Sequence, residues 1–234
     1  MVVLGDFLEI SIETPDILAS IEFYTRLGFR QASVNDVWTH PYAVLTDGRV
    51  YLGLHQRALP SPALTFVQPN LRRQLTEFEA LGVQFEFREL GEDQFNAAGF
   101  YAPYHQMVTL LEVRTFSPVT APVSGILCGY FEEYRLPVPE LHTSRRFWEQ
   151  LGLISTEPAG AQSRSVQLAT GGLNLGLWGT NERVQPQLIF LHDRLEETAR
   201  QLEQRGIAVQ REESDELLLT APEGTQLLIV RDDS

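Results

Sequence analysis

Two glutamates carry the most chemically suggestive pattern in this chain. Glu9 lies in Phe7-Leu8-Glu9-Ile10-Ser11-Ile12-Glu13 and Glu133 in Phe131-Glu132-Glu133-Tyr134-Arg135-Leu136-Pro137, 124 residues further on. Leu8, Ile10 and Ile12 alternate with Phe7, Glu9, Ser11 and Glu13, the period of a strand with one apolar face. Both glutamates fall on the other face. A carboxylate enclosed among aromatic groups is desolvated, its proton affinity rises, and it can serve as a general base. Solvated ion pairs are the alternative, Glu133 with Arg135 among them. Glu132 should face away from Glu133, so only one of the two neighbours would share a pocket.

The remaining reactive side chains form no motif. The five histidines are scattered, and no two have the i, i+4 helical or i, i+2 strand spacing of a metal clamp. His55 shares strand phase with Tyr51 and Gly53, but a strand-end position facing solvent is the simpler reading. His40 precedes Pro41 in a loop, and His105 falls in a turn. Cys128 is the only cysteine; it excludes an internal disulfide and reads as a buried structural thiol. A phosphate-binding Gly-x-x-x-x-Gly-Lys loop and a Gly-x-Ser-x-Gly nucleophile elbow are both absent.

The 234 residues include 18 basic and 31 acidic side chains, a net charge of −13. That field repels phosphate backbones and anionic lipid, so the expected partners exclude nucleic acid and membrane. No apolar run approaches the ~18 residues of a spanning helix, and the N-terminus lacks a signal peptide's basic and apolar regions. A cytoplasmic, acidic protein is expected, with one large or two compact domains.

The elements that must position the glutamates repeat. Ser20-Ile-Glu-Phe23-Tyr24-Thr-Arg-Leu27-Gly28-Phe29 matches Ser144-Arg-Arg-Phe147-Trp148-Glu-Gln-Leu151-Gly152-Leu153 at an offset of 124 residues. Leu52-Gly53-Leu54 matches Leu175-Gly176-Leu177 at 123, and Ala102-Pro103 matches Ala221-Pro222 at 119. A fainter offset of 54 relates Gly28 to Gly82 and Gly152 to Gly206. The chain is thus a tandem duplication of four units, each of roughly 50–60 residues. Within a unit, Phe7–Glu13 forms a strand and Asp16 caps a helix through Leu27. Gly28 supplies the left-handed residue that closes the helix. Three short strands follow near 30–33, 42–45 and 50–54, the last two joined at Asp47-Gly48. The unit reads β-α-β-β-β. Residues 1–116 and 127–234 should form two domains, with the proline-containing segment 117–126 as linker.

Paired βαβββ units carrying Ser-x-x-Phe-aromatic-x-x-Leu-Gly after an opening strand resemble the glyoxalase / bleomycin-resistance / extradiol dioxygenase superfamily, the vicinal oxygen chelate proteins, in its two-domain form. The resemblance covers nearly the whole chain. It implies an α+β fold of two tandem domains, each a pair of units forming a half-open barrel around a cavity. It also implies that the enzymes among such proteins hold a divalent metal through His, Glu or Gln on the opening and last strands of each unit. Carried over, those slots fall on Glu9, Ala63, Gly53 and Thr109 in the first half, and on Glu133, Gln187, Gly176 and Leu228 in the second. None is a histidine. A catalytic divalent site usually takes about three protein ligands, so no metal ligand or other cofactor is assigned, and a divalent metal stays open only for the enzyme reading.

The same resemblance turns the glutamate face towards the cavity. Glu9 and Glu133 are then the catalytic candidates. Arg135, Asn174, Trp178 and Gln187, with Phe131 and Ile189 in phase, form a binding wall in the second half. Tyr51, His55, Thr109, Ser11 and Met107 line the first half, which reads more as scaffold. Three functions follow: a protein binding a small organic molecule, with degenerate metal positions; a lyase, isomerase or dioxygenase using Glu9 or Glu133 with a sparse metal site; or an interaction protein with vestigial cavities. Pairing across exposed sheet edges would give a homodimer.

Overall fold

The repeats build two sheets, one from each half of the chain. The computed structural model describes residues 3–119, 121–156, 164–182, 184–211 and 215–232. The first half contains β1 (Asp6–Glu13), α1 (Ile17–Arg26), β2 (Arg30–Val34), β3 (Tyr42–Thr46) and β4 (Tyr51–His55). Its second unit contains β5 (Ala63–Val67), α2 (Leu71–Ala80), β6 (Phe85–Glu89), β7 (Ala97–Ala102) and β8 (Gln106–Leu111), followed by the short β9 (Phe116–Ser117). The second half repeats this with β10 (Tyr130–Val138), α3 (Leu141–Gln150), β11 (Ile154–Ser155), β12 (Ser165–Thr170) and β13 (Leu173–Gly179). Then come β14 (Gln187–His192), α4 (Leu195–Gln204), β15 (Gln210–Arg211), β16 (Glu216–Thr220) and β17 (Gln226–Arg231). Among the described residues no helix is long and apolar enough to cross a membrane.

The local signals act as their chemistry dictates. The Asp16 carboxylate accepts from the amides of Leu18 and Ala19, both at 3.1 Å, supplying acceptors that the first turn lacks. Gly28 closes α1 at φ +99°, a conformation in which a side chain would also strike the Gly125 carbonyl.

Strand order explains why the glutamates matter. The first sheet runs β6-β7-β8-β5-β1-β4-β3-β2-β9 and the second β11-β12-β13-β10-β14-β17-β16-β15. In each, the opening strands of the two units lie side by side, antiparallel, at the middle of the sheet. Each is flanked by its own unit's last strand in parallel, β4 beside β1 and β13 beside β10. Glu9 and Glu133 therefore sit at the centre of their sheets. Ser117, expected in the linker, instead pairs with Ser33 as part of β9.

Strict alternation fails at one place in each half. The β1–β5 register shifts between Phe7 and Glu9, and the β10–β14 register between Phe131 and Glu133. An extra residue in one strand turns the residues before it to the other face. Phe7 consequently packs with Ile10 and Ile12 in the main core, while Leu8 packs on the opposite side with Val44, Leu111 and Phe116. The expected grouping of Leu8 with Ile10, and of Phe7 with Glu9, is reversed by the bulge.

The main core is continuous across the halves, with Phe29 against Phe190 at 6.3 Å between ring centroids. A polar latch crosses the same boundary: Glu223, in the turn before β17, accepts from Ser20 Oγ and Tyr24 Oη of α1, both at 2.7 Å. Burial and the Glu223 carboxylate push the Tyr24 hydroxyl well above its ordinary range. Cys128 is buried beside this boundary, its thiol also pushed up by burial.

Candidate functional site

The first half holds a narrow cavity of about 180 Å³ over the centre of its sheet. Glu9 forms part of its wall and is only 1% exposed. Three donors converge on the carboxylate: Ser11 Oγ at 2.9 Å and His55 Nε2 at 3.3 Å reach Oε1, and Tyr42 Oη reaches Oε2 at 2.6 Å. Each donor is supported in turn. Thr65 Oγ1 lies 2.6 Å from Ser11 Oγ, and Thr115 Oγ1 lies 2.9 Å from Tyr42 Oη. Burial, followed by the neighbouring Glu9 charge, pushes the Tyr42 hydroxyl far up, so it stays a donor.

His55 is 4% exposed, not turned to solvent. Its Nδ1 meets His40 Nε2 at 2.9 Å, and Trp38 packs on both rings at 5.4 and 5.5 Å. One assignment of the ring hydrogens satisfies both contacts: His55 Nε2–H donates to Glu9, and His40 Nε2–H donates to His55 Nδ1. His40 is pushed down from 6.5 to about 4 by burial, by His55 and by Arg57. The folded state therefore leaves His40 unprotonated where the unfolded chain takes up a proton. Its contribution to stability is complete above pH 6.5 and declines as pH falls towards about 4. Denaturation midpoints across that window should drop less steeply for His40→Phe than for the parent protein.

A glycine makes room for each glutamate. A Cβ built on Gly53 would fall within the Glu9 carboxylate, overlapping Cδ and both oxygens, and Gly176 stands in the same relation to Glu133. The glycine of each Leu-Gly-Leu repeat thus admits the acid from the neighbouring strand.

The second half has a wider trough of about 550 Å³ among the described residues. There Glu133 accepts from Arg135 Nε at 3.0 Å and from Gln167 Nε2 at 3.1 Å. Gln167 Nε2 also lies 3.1 Å from Glu132 Oε1. Both glutamates line the trough, against the expectation from strand phase, because the bulge turns Glu132 inward. The same bulge sends Phe131 into the core against Phe190.

Of the other residues singled out, Thr109 and Met107 line the first cavity with Glu9, Ser11 and His55. Tyr51 does not; it stacks on Phe116 and accepts from the Val119 amide. Arg135, Trp178 and Ile189 line the second trough. Asn174 is diverted to the Glu132 carbonyl, and Gln187 to Gln226 at the boundary between the halves. The sequence put the richer polar wall in the second half, whereas the denser network is in the first. Sequence reasoning leaves His40 as a loop residue and gives Tyr42 and Trp38 no role, because a loop and a neighbouring strand bring all three in. Their aromatic character was the only signal.

In the sheets Thr65 stands opposite Glu9 and Ile189 opposite Glu133, while Ala63 pairs with Ser11 and Gln187 with Arg135. Among the described residues no three His, Cys, Asp or Glu side chains are grouped to hold a metal. Glu9 and the two histidines do not fit a divalent ion either, since the nitrogens of His55 are committed to Glu9 and His40.

The tandem βαβββ halves, with adjacent opening strands and a side-chain cluster at each sheet centre, share the fold of solved 2,3-dioxygenases. Homoprotocatechuate 2,3-dioxygenase from Arthrobacter globiformis superposes with a TM-score of 0.68 at 15% identity, covering 100% of this chain and 82% of its own. A variant of the Brevibacterium fuscum enzyme of that name gives 0.67 at 14%, covering 100% and 74%. The 2,3-dioxygenase LapB from a Pseudomonas species gives 0.65 at 13%, covering 99% and 93%. At these identities the likeness establishes the fold. The sequence matches no family model and no curated protein.

Proposed function

We propose that the protein binds a small organic molecule in the first-half cavity and that its metal-ligand positions are degenerate. The observation that carries this is the buried Glu9 carboxylate, fixed by three donors in the wall of a cavity that also has apolar and aromatic surface from Trp38, Phe87, Met107 and Leu111. A few fixed polar groups on apolar walls are what a small-molecule site requires. A second reading is an acid–base enzyme in which Glu9, oriented by His55 and its partner His40, takes a proton from the bound molecule. Small aromatic compounds titrated into 15N-labelled protein should shift the Trp38 indole resonance saturably. Glu9→Ala should abolish the shift while cooperative unfolding is retained. Turnover of any bound compound would move the enzyme reading forward; no saturable compound would remove both.

A further inference from the structure

We infer that the first-half cavity selects a protonated amine carried on an apolar or aromatic body. This rests on the reading that the cavity binds a ligand and adds the chemical class. Glu9 is the one carboxylate in the interior of the cavity among the described residues. The other charged side chains that line it, Arg57 and Glu89, are exposed at the mouth and of opposite sign. No lysine or arginine reaches Glu9, whose only ion-pair partner among the described residues is His55. Ser11 and Tyr42 are neutral donors, so their two hydrogen bonds stabilise the carboxylate without cancelling its charge.

A carboxylate oxygen accommodates two donors. Oε1 has two, whereas Oε2 accepts from Tyr42 alone among the described residues. One acceptor direction is left for a ligand, and a charged donor makes the strongest use of it. Trp38 and Phe87 line the same cavity, and aromatic faces attract cations. An anion placed there meets a buried like charge in a medium that screens poorly. The net charge of −13 biases encounter in the same direction.

Three probes sharing one ring test this: benzylamine, benzyl alcohol and benzoate, titrated at neutral pH against the indole N–H signals of 15N-labelled protein. The chain has three tryptophans, and Trp38→Phe identifies the relevant signal. Trp178 lies in the second-half trough and Trp148 in the core, so they serve as internal controls. Benzylamine should shift Trp38 with an affinity about tenfold above benzyl alcohol, the scale of a charge-assisted bond. Benzoate should leave it unmoved, and Glu9→Gln should erase the preference. Equal binding of benzyl alcohol, tighter binding of benzoate, or a preference surviving Glu9→Gln would overturn the assignment while leaving the cavity a binding site. Silence from all three probes would sink this inference and the binding reading together. The ranking in the parent protein decides the matter even where Glu9→Gln does not fold.

Discussion

Gly53→Ala is expected to cost about 3 kcal/mol of stability, combining overpacking with disruption of a buried charged network. The added methyl would occupy the space of the Glu9 carboxylate, and the acid is walled in by Ser11, Tyr42 and His55. These are short or ring-bearing side chains on strands, with few alternative rotamers. Glu9 must then leave its donors, and ligand binding should be lost with it. Equilibrium denaturation measures the cost, and a double-mutant cycle assigns it. In a Glu9→Ala background the same methyl meets no carboxylate, so the two substitutions should be far less than additive. Additive effects would mean that Gly53 matters for backbone reasons unrelated to Glu9. Gly176→Ala should be milder, about 1 kcal/mol. Glu133 is held by Arg135 and Gln167, long side chains that can move with it, and Arg135 is partly exposed.

The second large effect is expected at the boundary between the halves. Glu223→Ala removes the acceptor for Tyr24 Oη and one partner of Ser20 Oγ. Tyr24 is fully buried, and its hydroxyl would lose its charged acceptor and keep only the Thr225 side chain, at a cost of about 1–2 kcal/mol. Ser20 keeps Thr14 Oγ1 at 2.8 Å and should contribute little to the loss. Tyr24→Phe removes the hydroxyl instead of its partner. The Tyr24→Phe/Glu223→Ala double variant should therefore be no less stable than Glu223→Ala alone. Thermal unfolding of the four proteins in that cycle measures the coupling, and a double variant markedly weaker than either single one would contradict it.

The sequence by itself determined the duplication, the βαβββ order, the caps and turns around α1 and the equivalence of Glu9 and Glu133 on their opening strands. Those features follow from local periodicity and from residues such as Asp16 and Gly28, whose preferred backbone needs no distant partner. Only the tertiary structure decided which neighbours each glutamate meets. A bulge is set by the hydrogen-bond register with the adjacent strand, so Glu132 joined Glu133 in the trough and Thr65 came to stand opposite Glu9. A hint was present, since Phe7 and Phe131 break the polar face two residues before each acid. The glycine of Leu-Gly-Leu likewise signalled a close approach without naming the side chain that fills it. His40 and His55 are 15 residues apart in sequence, yet their rings share a hydrogen bond. No spacing rule could join them, because the contact depends on how the loop after β2 folds back over β4. Local propensity fixes what a segment becomes; the pairing of strands and the path of loops fix which side chains share a cavity, and those depend on the whole chain packing at once.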